Sequence, residues 1–205
     1  MNQALDDWLL LKVISIKKYI KREMDSGLKV DKTIPLGGLL GAMKEATDAA
    51  KNVLFFDETG NVSTFFSYKA TLFELNKEIL SKAMGKKTHE EVKERFRKMI
   101  INTMKSGDNL AIFVDMSIPD FKAEFYDPEY VHPDIFDQEL MDKKDNYKSM
   151  LRPDEDVDGF GNKGGFYKRD GWVISVVTRG SVEEEGVNAK KFLPLDKFYV
   201  VRVTN

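Results

Sequence analysis

Two aspartates, Asp57 and Asp115, each close a short apolar run that follows an amphipathic segment: AMKEATDAAKNVLFFD and ERFRKMIINTMKSGDNLAIFVD. Apolar at every position, Val53-Leu54-Phe55-Phe56 suits a strand covered on both faces, as in parallel sheets layered with helices. Such open sheets place ligands at the carboxyl ends of their strands, so both aspartates are expected on one rim. Two chemistries fit that rim. After the first strand, the turn Asp57-Glu58-Thr59-Gly60 leads to Ser63 and Thr64, where a helix start could present backbone N–H groups to phosphate. A strand-end carboxylate such as Asp115 can hold magnesium. Nucleotide binding would therefore draw on Asp57, Gly60, Ser63, Thr64 and Asp115. Against it, no Gly-Lys-Ser/Thr sequence supplies a lysine for the phosphates. Asp57 and Glu58 oppose an anion unless a divalent cation intervenes, and Met116 follows Asp115 where a water-activating glutamate would stand. The rim is expected to lack a cation.

Other spacings carry less. Gly37-Gly38-Leu39-Leu40-Gly41, with Lys44 nearby, has the glycines of a phosphate loop but follows Pro35 in a polar stretch and not an expected strand. Asp154, Asp156 and Asp158, followed by Gly159, match the first half of a calcium loop; Gly165 stands where the bidentate glutamate belongs. His89 and His132 form no metal-ligand spacing, and there is no nucleophile elbow.

The elements that must position these groups follow from periodicity. A helix is expected over 3–26, with an apolar stripe through Leu5, Trp8, Leu9, Val13, Ile16, Ile20 and Met24. It packs on its own domain or docks on a partner through Trp8 and Leu9. A linker over 28–38 leads to a helix over 39–51 and the strand 53–57. A helix is expected from about 66 to 84, capped by Ser63 or Thr64, with a strand over 62–68 as the alternative. Thr88 and Glu91 form a capping box opening a helix that carries Val92, Phe96, Met99, Ile100 and Met104 on one face. Strands follow at 109–115, 172–178 and 198–203, with a helical turn expected within 179–196. Residues 119–170, rich in proline, acids and aromatics, read as a long insertion with a short helix near 134–148. Its Phe121, Phe125, Tyr126 and Tyr130 are candidate partner anchors; Phe136 and Tyr147 belong to the same set, and the alternative is that these rings tie the insertion to its own domain. The domain division is 1–35, helix and linker, then 36–205, an α/β domain with a mostly parallel sheet.

With 205 residues, 42% of them hydrophobic and 32% charged, the chain has the composition of one globular domain with elaborations. A net charge of −2 gives no general attraction to nucleic acid or anionic membrane. Without cysteine, disulfides, thiolate metal sites and a cysteine nucleophile are excluded. The start MNQALDDW lacks a secretory pattern, and an intracellular, cytoplasmic setting is expected.

Together, NVLFFDETGNVSTFF, NLAIFVDM, WVISVVT and LPLDKFYVVRVTN resemble the successive strands of a P-loop NTPase core of the AAA type whose motifs have decayed. FYVVRVTN is similar to the strand that ends in a polar sensor residue, a place Thr204 and Asn205 would take. The resemblance implies a degenerate module of the kind found in large ciliary and cytoskeletal scaffold proteins. It implies a non-catalytic interaction role without a cofactor, with other proteins as partners. A divergent ATP- or GTP-binding protein using magnesium and a calcium-responsive adaptor are the alternatives.

Overall fold

A computed structural model describes residues 27–205. The helix expected over 3–26, with Trp8 and Leu9, lies outside the described residues. Six strands, β1 (Lys32–Pro35), β2 (Asn52–Asp57), β3 (Thr71–Glu74), β4 (Asn109–Asp115), β5 (Val173–Thr178) and β6 (Phe198–Thr204), form one sheet in the order β1-β6-β2-β5-β4-β3. Every neighbouring pair is parallel. Among the described residues the helices are α1 (Leu39–Asp48), α2 (Val62–Lys69), α3 (Leu75–Ala83), α4 (His89–Ser106), the short α5 (Phe121–Glu124), α6 (Gln138–Met141) and α7 (Lys144–Lys148), and α8 (Val182–Phe192). The expected parallel α/β architecture is present. None of these helices is long and apolar enough to cross a membrane.

All six residues of β2 are buried, as its apolar run requires. Successive side chains take opposite faces. Val53 and Phe55 meet α1 and α2 through Leu39, Ala42, Ala46, Val62 and Phe66. Leu54 and Phe56 belong to the larger core with α4, the 119–170 segment and α8. From β2 the chain crosses to β3 at the far edge, returns through β4 and β5, then passes β2 to reach β6. Its direction thus reverses around β2 and β5, with α2 following one and α8 the other.

Three local expectations are corrected. The stretch read as a linker contributes the edge strand β1, which pairs with β6 from Lys32 opposite Val201 to Pro35 opposite Thr204. The single helix expected over 66–84 is instead α2, β3 and α3. Extended backbone at Ala70 ends α2, and Thr71-Leu72-Phe73 gains more by pairing with β4 and stacking Phe73 on Phe96, 5.5 Å between centroids. Between β5 and β6 stands the 11-residue α8, opened by a second capping box, Ser181 with Glu184.

Residues 119–170 fold onto the α4 face. Phe96, Phe125, Phe121, Phe136 and Phe198 form a chain of ring contacts at 5.0–5.7 Å. Buried in this way, Phe121 and Phe125 present nothing to a partner, which corrects their reading as anchors; desolvation on their own domain outweighs exposure. Tyr126 and Tyr130 are half-buried, and Tyr130 packs beneath Lys93 and Arg152 at 5.6 and 5.5 Å. The segment is also tied to the sheet by buried Asn52. Its Nδ2 donates to the Phe136 carbonyl (2.6 Å), and its Oδ1 accepts from Gln138 Nε2 (2.6 Å) and the Ile174 amide (3.0 Å).

The capping box at Thr88 and Glu91 starts α4 as expected, and Gly107 ends it at φ +75°. A Cβ on Gly107 would lie 2.8 Å from the Asp170 carbonyl. Gly107→Ala is therefore expected to cost about 1–3 kcal/mol from backbone strain, before the clash is relieved. A thermal melt checks this, and an unchanged Tm would contradict it.

Candidate functional site

The carboxyl ends of β2, β5, β4 and β6 share one rim, the position where sheets of this class bind ligands. At its centre, Asp57 is buried at the end of β2. Oδ1 of its carboxylate accepts hydrogen bonds from the Thr59 amide (3.1 Å), the Thr59 hydroxyl (2.7 Å) and the Gly60 amide (3.0 Å). Oδ2 accepts from the Val62 amide at 2.8 Å. Gly60, at φ +71°, lets the backbone turn its N–H groups inward. These amides and the first turn of α2 are the donors a phosphate would use. The protein's own carboxylate takes them. Asp57 thereby also satisfies the helix start, so Ser63 and Thr64, expected as caps, sit in the first turn of α2 with no capping role.

Asp115 ends β4 on the same rim, separated from Asp57 by β5. It is one of two non-glycine residues at positive φ among the described residues, at +59°. The ladder with β5 shifts register between Phe113 and Asp115. The strained turn is held by two bonds to the Asp115 carbonyl, from the Thr178 hydroxyl (2.8 Å) and the Arg179 amide (2.7 Å). Its carboxylate Oδ1 is buried without a hydrogen-bond partner among the described residues and faces Arg179 Nη1 at 3.7 Å.

The rim is not free of cations, contrary to expectation. Arg179 reaches from the end of β5, and a Cβ placed on Gly60 would lie 3.7 Å from its Nε. Arg202, on β6, has Nε 2.7 Å from Glu58 Oε1, a close ion pair without hydrogen-bond alignment, and its Nη1 donates to Glu183 at 3.2 Å. Each guanidinium meets a carboxylate of the same rim. Charge is matched internally, and neither arginine was legible from a local motif because its partners come from other strands.

The weaker candidates resolve similarly. Gly37-Gly38-Leu39 does lie between a strand and a helix, β1 and α1; Lys44, however, pairs with Asp48 along α1 at 2.6 Å. In the acidic loop Asp154 is exposed. Asp156 holds Lys148 Nζ (2.8 and 3.0 Å) and accepts from the Phe166 amide. Asp158 accepts from the Phe160 and Asn162 amides and from Asn162 Nδ2. Lysine and loop amides thus draw Asp156 and Asp158 separately. Among the described residues no group of three or more His, Cys, Asp or Glu is arranged for a metal.

The strongest electrostatic centre is elsewhere. Arg97, on α4, has a side chain that is 0% exposed. Its Nε and Nη2 bind Glu94 at 2.7 and 2.6 Å, Nη1 and Nη2 bind Glu155 at 2.5 and 2.8 Å, and Nη1 also donates to the Met150 carbonyl at 2.7 Å. That uses all five guanidinium N–H donors. Arg97 holds the Glu94 carboxyl down at about 2 and lowers that of Glu155 as well. Donating to Glu94 and Glu155 raises Arg97 in turn, against its burial. This clamp fastens the 119–170 segment to α4. A sequence signal existed: Arg97 lies three and four positions before buried Ile100 and Ile101, inside the apolar stripe.

Comparison of the chain with protein-family models, with curated proteins and with solved structures finds no match.

Proposed function

We propose that this chain is a non-catalytic α/β interaction module, a structural component of a larger protein assembly. The observation that carries this reading is the Asp57 carboxylate seated on the amides of Thr59, Gly60 and Val62. A nucleotide phosphate would have to displace a buried carboxylate already hydrogen-bonded to those donors. The internal pairing of Arg202 with Glu58 and of Arg179 with Asp115 supports the same reading. The sheet order, with the Asp57 turn after the central β2 and the Asp115 strand two places away, is compatible with the resemblance to a nucleotide-binding core.

A fluorescent ATP analogue with magnesium should show no saturable binding up to millimolar concentration. Saturable binding that disappears in Asp115→Ala would reverse the reading in favour of a divergent nucleotide-binding protein. The interaction role has its own check at the N-terminus. Trp8→Glu or Leu9→Glu should abolish co-purification with partner proteins while leaving the circular-dichroism spectrum unchanged, and unaltered co-purification would reject docking through that stripe.

A further inference from the structure

The two edges of the sheet are unlike. β1 carries devices that keep an edge from pairing: Pro35 offers no N–H, and Lys32 is drawn to Glu45 of α1. At the opposite edge, β3 has neither proline nor lysine within Thr71–Glu74. Its one paired neighbour is β4. Outside that ladder, no hydrogen bond joins the backbone of Thr71, Leu72 or Phe73 to another element among the described residues. Alternate N–H and C=O groups on the outer side of β3 are thus a template for a further strand, and only extended backbone can satisfy them.

Ala70 is already extended (φ −152°, ψ 172°), so the stretch available for pairing runs over 70–74. Its side chains divide between the faces. Phe73 is consumed beneath Phe96, whereas Ala70 and Leu72 lie half-buried against the α2 core. Just before them Tyr68 is 83% exposed, and Lys69 is exposed as well. A two-fold axis normal to the sheet pairs an edge with a copy of itself, antiparallel, and keeps each face on its own side. Opposed residues must then share a face, which leaves few registers. Setting Leu72 against Leu72 puts Ala70 opposite Glu74 and brings Lys69 of each copy beside Glu74 of the other. Sliding one way sets Leu72 opposite Glu74 and Lys69 opposite Lys77; sliding the other way sets Glu74 opposite Tyr68. In the single chain Glu74 meets only exposed Lys77, at 2.7 Å, a surface pair that holds it weakly.

The geometry points to a second copy of this chain as the occupant of that edge: β3 pairs antiparallel with β3 of the copy about Leu72, and one sheet runs through both chains. Leu72 and Tyr68 supply apolar contact, while Lys69 and Glu74 fix the register. An unrelated strand would satisfy the same backbone groups, but it is under no obligation to bring a carboxylate to Lys69 and take a cation at Glu74. This surface is remote in sequence from Trp8 and Leu9, and the proposal holds or fails independently of the interaction reading above.

The chain contains no cysteine, so one introduced thiol reports the pairing directly. In the full chain, Leu72→Cys should form a disulfide-linked pair on mild oxidation, because opposed residues lie about 4.5–5.5 Å apart between Cα atoms, within disulfide reach. Thr71→Cys meets its own copy only on the diagonal, at about 7–8 Å, and should not link. Neither should Thr33→Cys on β1. Sedimentation equilibrium of the unaltered chain should give twice the chain mass at high concentration and fall toward one chain on dilution. Lys69→Glu should raise the dimer dissociation constant about 3- to 10-fold, and Lys69→Glu/Glu74→Lys should restore it, a rescue that a merely structural role for either residue would not give. A monomer at every concentration would overturn the proposal. So would linkage through Thr71→Cys or Thr33→Cys in place of Leu72→Cys, or a double variant no tighter than the single one. Amide exchange at Thr71–Glu74 that slows only when cell extract is added would assign the edge to a foreign strand, against the proposal.

Discussion

Arg97→Met is expected to lower the unfolding free energy by about 3–5 kcal/mol, because it strands two carboxylates that lose their buried cation. Glu94 and Glu155 meet on that guanidinium from opposite sides, one from α4 and one from the 119–170 segment. Losing the clamp should therefore loosen the segment first, seen as faster amide exchange at Met150 and Glu155 than in the strands. Acid gives a second signature. Glu94 titrates at about 2, against 4.5 when free, chiefly through its hydrogen bond to Arg97. A depressed carboxyl contributes fully above its unfolded value, so in the unaltered protein this contribution is complete above about pH 4.5. It is lost as pH falls from there toward 2. In Arg97→Met the same carboxyls gain by protonation, and the stability gap between the proteins should narrow on acidification. Urea unfolding at pH 7 and pH 4 measures it. A gap of constant size would show that the clamp's contribution does not come from ionisation of Glu94 and Glu155.

Strand β2 was legible because every one of its positions is apolar, a pattern that only a doubly covered strand tolerates. The Thr88 and Glu91 box was legible because both partners lie within four residues. Ser181 and Glu184 carry the same pattern ahead of α8 and could have been read the same way. β1 and β3 were not legible. At four residues each, their pairing energy comes from β6 and β4, which lie far away in the chain. The rim divides likewise. Asp57 and Asp115 fall on it as their strand ends imply, whereas Arg179 and Arg202 take their positions from the order of the strands. Phe121 and Phe125 misled because an acidic-aromatic texture does not say which rings the fold itself consumes.

Asp57→Ala should be the most informative loss at the rim. It removes the acceptor of the Thr59 and Val62 amides and of the Thr59 hydroxyl, and leaves the Gly60 amide only its 3.4 Å bond to the Asp57 backbone carbonyl. With bonds to a charged acceptor replaced by partly hydrated donors, the expected cost is about 2–3 kcal/mol. Asp57→Asn keeps the shape and one acceptor oxygen, and should cost less. Equal loss in both would mean that the charge, and not the number of accepted bonds, holds the turn.

The Asp57 carboxylate occupies the backbone amides that an external anion would otherwise use. The direct measurement is the thermal midpoint of Asp57→Ala and of the unaltered protein, in inorganic phosphate and in sodium chloride of equal ionic strength. The vacated amides should now take phosphate, so phosphate should raise the midpoint of the variant clearly more than that of the unaltered chain. An equal response in the two proteins, or a larger one in the unaltered chain, would contradict the claim.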